Sequence, residues 1–303
     1  MSSSERAAAL ALVLLASGAR AQQPAQGFAV ERFYPSAAGG GWFVMDDLAM
    51  RGGFGGALSL TTGYARDPLQ VGNLGVVSSE AVLDFGAAVS WERWRLYLNI
   101  DSPLTLQGHS GQVGSYLYTA PGITVGSHPD TVADPRVGVD VRLWGGPDSA
   151  FRFGLGAQLF VPNGVRADYD TDGTWRAMFR ALVAGKVGAY SYAAQLGVHV
   201  RPLDDGPTPG SPNGSELLYG AAAGRAFALG APWRMVVGPE LWGESALRTG
   251  TTGVEGMLSG RLEGTGPGAQ LRVKLGVGAG LDAQLGTPQW RLLLGVEYFN
   301  PGA

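Results

Sequence analysis

The chain contains no cysteine, only three histidines, and charged residues at 16% of its 303 positions. Without cysteine there is no disulfide framework, no thiolate metal site and no lipid attached through sulfur. Long apolar runs are also missing: beyond the first residues no stretch reaches the roughly 18 apolar residues that a membrane-spanning helix needs. A net charge of −3 gives no electrostatic basis for binding nucleic acid.

Scarce histidine limits catalysis as well. His109 and His128 stand beside Ser110 and Ser127, but a serine nucleophile needs a base oriented by a third group, and none can be named. The run from Gly276 to Gly280 has the look of a nucleotide loop, yet no helix follows it. An enzyme is not expected.

What is abundant is glycine, at 49 residues, with 45% hydrophobic residues. Glycine weakens helix and strand interiors alike, but it is tolerated where a narrow barrel interior leaves little room for side chains. The stretch 134–162 shows the pattern most plainly. Val137, Val139, Val141 and Leu143 alternate with Arg136, Gly138, Asp140 and Arg142; after Gly-Gly-Pro-Asp, Phe151, Phe153, Leu155, Ala157 and Leu159 alternate with Arg152, Gly154, Gly156 and Gln158. Period-two alternation puts one set on each face of a strand. Apolar side chains on one face, with charges and glycines on the other, are what a membrane β-barrel requires, apolar towards lipid and polar towards the lumen.

Similar arms recur at 57–64, 80–91, 94–101, 175–186, 190–201, 216–227, 233–244, 254–263, 270–281 and 289–299. The expected fold is all-β: a transmembrane antiparallel β-barrel of about 12 strands in an up-and-down meander, the even number that bacterial barrels use. Arg225 shares a face with Leu217 and Tyr219, and Pro239 interrupts its arm, so an interfacial position or a bulge is expected at the first and a bulge at the second. Connections alternate long and short. The long ones are 65–79, 104–133, 163–174, 203–214, 245–253 and 282–288; the short ones are 92–93, 144–150, 187–189, 228–232 and 264–268. Short turns belong to the periplasmic end and longer loops to the outside, which predicts both termini on the periplasmic side. Aromatics near strand ends (Tyr64, Trp91, Trp94, Trp175, Tyr190, Trp233, Trp290, Tyr298) fit interfacial girdles.

The domain plan follows. Arg6, the apolar run Ala7–Ala16 and Ala19-Arg20-Ala21 fit a signal peptide over 1–21, with a mature start at Gln22. Residues 22–53 carry Phe28, Phe33, Tyr34, Trp42 and Phe43 without lasting periodicity, and read as a periplasmic lead-in or a lumen plug. The barrel takes 54–299, and 300–303 is a C-terminal tail.

Phe28-Ala-Val-Glu-Arg-Phe-Tyr-Pro35, Trp42-Phe-Val-Met-Asp-Asp-Leu48 and Gly286-Thr-Pro-Gln-Trp-Arg-Leu-Leu-Leu-Gly-Val-Glu-Tyr-Phe299 resemble the start and the last strand of outer-membrane barrels of the OmpA type. The resemblance spans most of the chain through soft motifs. It implies a Gram-negative outer-membrane location. No peptidoglycan-binding domain follows in this sequence, so tethering of the cell wall is not implied.

The face assignment predicts a charged lumen lined by Asp84, Arg95, Asp101, Arg136, Asp140, Arg142, Arg152, Arg176, Arg180, Lys186, His199, Arg201, Arg234, Glu240, Arg261, Arg272, Lys274, Arg291 and Glu297. With Glu80, Glu216, Glu255 and Glu263 added, thirteen inward cations meet nine carboxylates, an excess of four (13 − 9). That excess is expected to concentrate on Arg176, Arg180 and Lys186 and to make an open pore weakly anion-selective. Asp168, Asp170 and Asp172 followed by Gly173 match the start of a calcium loop, although Phe179 stands where the bidentate glutamate belongs; a turn-rich polar loop is the other reading. No other cofactor is expected. The leading functional expectation is a small passive, porin-like channel for ions or small solutes. The alternative is a structural or scaffolding barrel closed by ion pairs and the N-terminal segment. Expected partners are outer-membrane lipid, lipopolysaccharide and envelope proteins.

Overall fold

The computed structural model describes residues 22–124, 132–206, 208–264, 270–282, 284 and 286–300. The signal-peptide expectation, Ser127 and His128, most of the turn 264–268 and residues 301–303 lie outside the described residues.

Twelve strands close into one antiparallel barrel. They are β1 (Phe54–Val71), β2 (Leu74–Trp91), β3 (Trp94–Gln107), β4 (Arg136–Trp144), β5 (Arg152–Phe160), β6 (Arg176–Val187), β7 (Tyr190–Val200), β8 (Glu216–Ala228), β9 (Trp233–Ala246), β10 (Thr252–Gly264), β11 (Gln270–Asp282) and β12 (Trp290–Asn300). Each pairs with the next in the chain, and β12 returns to β1 with Leu292 opposite Tyr64 and Tyr298 opposite Leu58. Closure leaves no barrel edge with unpaired backbone groups facing lipid, where each would cost several kcal/mol.

The face assignment holds along the wall. Leu155 and Leu275 are exposed outward, whereas Asp140, Arg152 and Arg291 next to such positions are buried. Aromatics gather at the strand ends: Tyr64 lies 5.2 Å from Trp290 and Trp91 stacks 6.5 Å from Trp94, measured between ring centroids. Arg225 does face outward with Leu217, near the short-turn end, its guanidinium 5.3 Å over the Phe227 ring. Pro239 makes no bulge. The β9–β10 register runs through it unshifted, and β8–β9 pairing only lapses between Ala222↔Glu240 and Arg225↔Val237, where proline has no N–H to give.

Two expectations are corrected. The supposed first loop, 65–79, is strand: β1 and β2 run on to a turn at Gly72 and Asn73, with a register shift between Arg66 and Leu69. The connection after β9 is likewise only 247–251. The second correction concerns the N-terminal side. Asn300 pairs with Gly56 at the short-turn end, but Gln23 pairs with Tyr116 in the long connection after β3. From there the chain descends through the barrel. Ala29 N–H donates to Asp172 at 2.9 Å near the long-loop end, Phe43 and Val44 N–H both donate to Glu240 at 3.1 Å, and Arg51 meets Asp148 at 3.4 Å in the turn between β4 and β5. The first described residue is therefore at the opposite end of the barrel from the start of β1. With long loops outside, a small tag at Gln22 is expected to be labelled by a membrane-impermeant reagent on intact cells; labelling only after the outer membrane is permeabilised would contradict this path.

Candidate functional site

The lumen is the site that the barrel positions, and residues 28–50 fill it. Phe33, Trp42, Phe43, Val44, Met45, Leu48 and Met50 pack against inward-facing Leu182, Trp242, Met257 and Leu293 from four different strands. Wall cations lie over the segment's rings: Arg261 is 4.4 Å from the Trp42 ring centroid, Lys274 5.0 Å from Phe43 and Arg291 5.4 Å from Phe33. Desolvated cation–π contacts of this kind are worth about 2 kcal/mol each. Beside the segment lie lumenal cavities of about 80, 40 and 10 Å³.

Wall glycines make the room. A Cβ at Gly224 would sit 2.7 Å from the Trp42 ring, and one at Gly220 would overlap the Met45 methyl. Gly220→Val should therefore push on the segment at a cost of about 1–3 kcal/mol, as overpacking does. The barrel should still assemble, and protease should reach residues 28–50 faster; unchanged cleavage would mean that Met45 does not rest there.

Every lumen residue expected from the alternation lies inside or half-buried at a mouth. Most cations there have a carboxylate. Arg95 bridges Asp46 and Asp140, Arg180 reaches Asp140 at 3.1 Å, and Arg201 grips Asp172 at 2.6 Å and Glu216 at 2.9 Å. Near the short-turn end Arg234 meets Glu263 at 2.7 Å and Arg272 meets it at 2.8 Å, with Arg261 at 3.7 Å; Lys274 holds Glu297 at 2.7 Å. Arg136, Arg142 and Arg152 donate to the backbone carbonyls of Pro35, Leu48 and Pro147. His199 Nδ1 lies 3.1 Å from Glu244, which also meets Arg32 at 3.4 Å.

The expected pocket of unmatched positive charge on β6 is absent. Arg176 pairs with Asp134 at 2.9 Å, Arg180 with Asp140, and Lys186 with Asp148 at 3.6 Å. Asp134 and Asp148 come from connections, and Asp46 and Glu31 from the lumenal segment, none of which a count confined to strands includes. Residues 28–50, expected as part of either a periplasmic lead-in or a lumen plug, thus line the lumen together with the wall residues. A signal for them was in the sequence: Met178, Leu182, Trp242, Met257 and Leu293 sit in the inward phase of their strands, where a water-filled pore would carry polar groups.

The three aspartates of the calcium-loop pattern do not converge. Asp168 accepts Gly122 N–H at 3.0 Å, Asp170 accepts Val165 N–H at 2.7 Å, and Asp172 is taken by Arg201 and Arg176. Burial alone would raise Asp172, but those guanidiniums hold it well below the usual carboxylate range. Burial pushes Asp170 up to about 7. In this structure the three carboxylates cap different partners, as those of a polar turn do.

No protein-family model and no curated protein matches the sequence. Solved structures do match. An outer membrane channel from Pseudomonas putida F1 aligns with a TM-score of 0.52 at 14% identity, over 82% of this chain and 95% of that one. The NanC porin gives 0.46 at 8% identity, over 80% and 98%. The β domain of the Bordetella autotransporter BrkA gives 0.43 at 16%, over 80% and 98%. At these identities the likeness is one of fold. The closed twelve-stranded meander with its apolar outward face is the fold of an outer-membrane β-barrel, which the Pseudomonas putida channel shares.

Proposed function

We propose that this protein is an outer-membrane channel held shut by its own N-terminal segment, and that it conducts ions or small solutes when that segment moves. The observation that carries the reading is the path of residues 28–50. They run from the long-loop end to the short-turn end and are tied to the wall by Glu240, Arg142, Lys274 and Arg95. These ties are hydrogen bonds and ion pairs, which form and break without covalent chemistry. Small solutes are the expected cargo, and lipid and lipopolysaccharide the neighbours of the outward face. The stretches that resemble OmpA-type barrels have separate places: the first two lie in the lumen, and the third supplies β12, which closes the barrel against β1.

The reading assigns no catalysis. His109 Nδ1 faces Gly75 O at 3.3 Å, and Ser110 Oγ accepts Ala120 N–H at 2.8 Å, so neither is poised on the other. A second reading has one observation in its favour: the segment packs like a protein core, which suits a permanently closed scaffold. Recording in a planar bilayer tests the first reading. The whole chain should be silent or open only in rare steps; large steady currents from it would overturn the closed-channel reading.

A further inference from the structure

Positive charge left over in the lumen collects at one end. The cavity of about 80 Å³ at the short-turn mouth is lined by Arg51, Arg95, Lys186, Arg234 and Arg272, with Asp47 and Glu263 as the carboxylates on its wall. The ion pairs that lead away from it do not cancel the difference, because their carboxylates are shared. Asp148 serves both Arg51 at 3.4 Å and Lys186 at 3.6 Å, and Glu297 serves both Arg272 and Lys274. Asp46 and Asp140 answer Arg95, but Asp140 answers Arg180 as well. At the same end Arg142 and Arg152 donate to the carbonyls of Leu48 and Pro147 and pair with no carboxylate among the described residues. With Arg261, which shares Glu263, ten cations stand against six carboxylates, an excess of four (10 − 6).

Glu263 shows the imbalance at close range. Strands β9, β10 and β11 bring three guanidiniums around its one carboxylate: Arg234 Nε at 2.7 Å, Arg261 Nε at 3.7 Å and Arg272 Nε at 2.8 Å. The last two meet the same oxygen, and a single carboxylate cannot occupy the donors of three such forks. Donors are indeed left over. Arg261 Nε and Nη1, Arg152 Nε and Nη2, and Arg95 Nε have no acceptor, on residues 5%, 0% and 4% exposed. A buried charged donor left in this way costs free energy unless something negative faces it.

We propose that the short-turn mouth binds one small phosphate-bearing anion, seated in this cavity among Arg234 and Arg272 of β9 and β11 and Lys186 and Arg95 of β6 and β3. Guanidinium forks take phosphate oxygens two at a time, and multivalent charge answers an excess of several cations. A volume of about 80 Å³ takes about five to eight water-sized groups at about 10–15 Å³ each, close to the oxygen count of a diphosphate. Ala49, Met50 and Arg51 also line the cavity, so the anion lies against the foot of the lumenal segment. With long loops outside, this mouth opens to the periplasm. The inference rests on charge and cavity and does not depend on whether the barrel conducts.

The test is equilibrium dialysis of radioactive pyrophosphate against the whole chain, refolded in non-ionic detergent free of lipopolysaccharide. Low-salt buffer keeps screening weak. One anion per chain is expected, with a Kd below about 1 mM. Arg234→Gln, at the half-exposed rim, should weaken uptake about tenfold, the factor that one charge-assisted hydrogen bond carries. Arg248→Gln removes the same charge from an exposed pair at the long-loop end and should leave uptake unchanged. Glu263→Gln frees donors of three guanidiniums and should tighten uptake, a direction that structural damage does not give. Should Arg234→Gln fail to give the heat-modifiable folded band, Lys186→Gln serves in its place. Absence of saturable uptake would overturn the site, as would uptake that neither mouth variant weakens. An equal loss in Arg248→Gln would overturn it too, by reducing the binding to general attraction.

Discussion

Deleting residues 28–50 is expected to turn a silent barrel into a conducting one. The segment accounts for the apolar filling of the lumen, from Phe33 near the long loops to Met50 near the short turns. A twelve-stranded wall lies between eight strands, whose interior side chains alone fill, and sixteen, which leave an aqueous channel. With the filling gone, water reaches the charged inward face, and membrane conductance should rise on the order of tenfold or more over the whole chain. The open pore should also prefer anions. Deletion removes Glu31, Asp46 and Asp47 but only one lumenal cation, Arg32, and so strips carboxylates from Arg95 and Arg291. Arg95→Glu with Arg291→Glu in the deleted chain should lower or invert that preference. A deleted chain that assembles, as judged by heat-modifiable migration, yet carries no current would favour the closed scaffold. A reversal potential favouring cations would contradict the charge argument alone.

The barrel was more legible in the sequence than its contents, for a physical reason. Lipid imposes one rule on every strand it touches, so alternation marks all twelve, including the alanine-rich β8. Where lipid stops, the rule stops. Above Arg66, Asp67 takes a positive φ of 49° before Pro68, the register shifts, and Leu69, Val71, Val76 and Val77 pack inward under a lid of loop residues. That segment therefore looks like a loop while remaining strand. The lumenal segment has no period because its neighbours are spread over several strands, each offering one or two side chains. Its unperiodic aromatics leave a lead-in and a plug equally open, and only the partner positions tell the two apart. A water-filled lumen gives no reason for Trp242 and Met257 to face inward, and the core around Phe43 does. The aspartate loop shows the opposite case: residues evenly spaced in sequence have their carboxylates drawn apart, to Arg201 and to backbone N–H groups.

Leu155→Arg is expected to block assembly into the membrane. Leu155 sits mid-strand on β5, opposite Val141 and Ala181, and its side chain points outward. An arginine at the bilayer midplane of such a barrel costs about 2–4 kcal/mol, which falls towards zero near the interfaces. That is a large share of the total stability of about 5–15 kcal/mol typical of folded proteins. Val139→Arg, on the same face of β4 and opposite Ala157, should behave alike. Leu155→Ala is the control, since it removes the leucine without adding a charge and should assemble. Inward Gly138 is a poor control, because a side chain there would strike the Tyr97 ring. The measurement is the fraction of heat-modifiable, protease-resistant barrel recovered from outer membranes. If Leu155→Arg reaches the level of Leu155→Ala, that face does not meet lipid, and the alternation on which the whole architecture rests has been assigned to the wrong side.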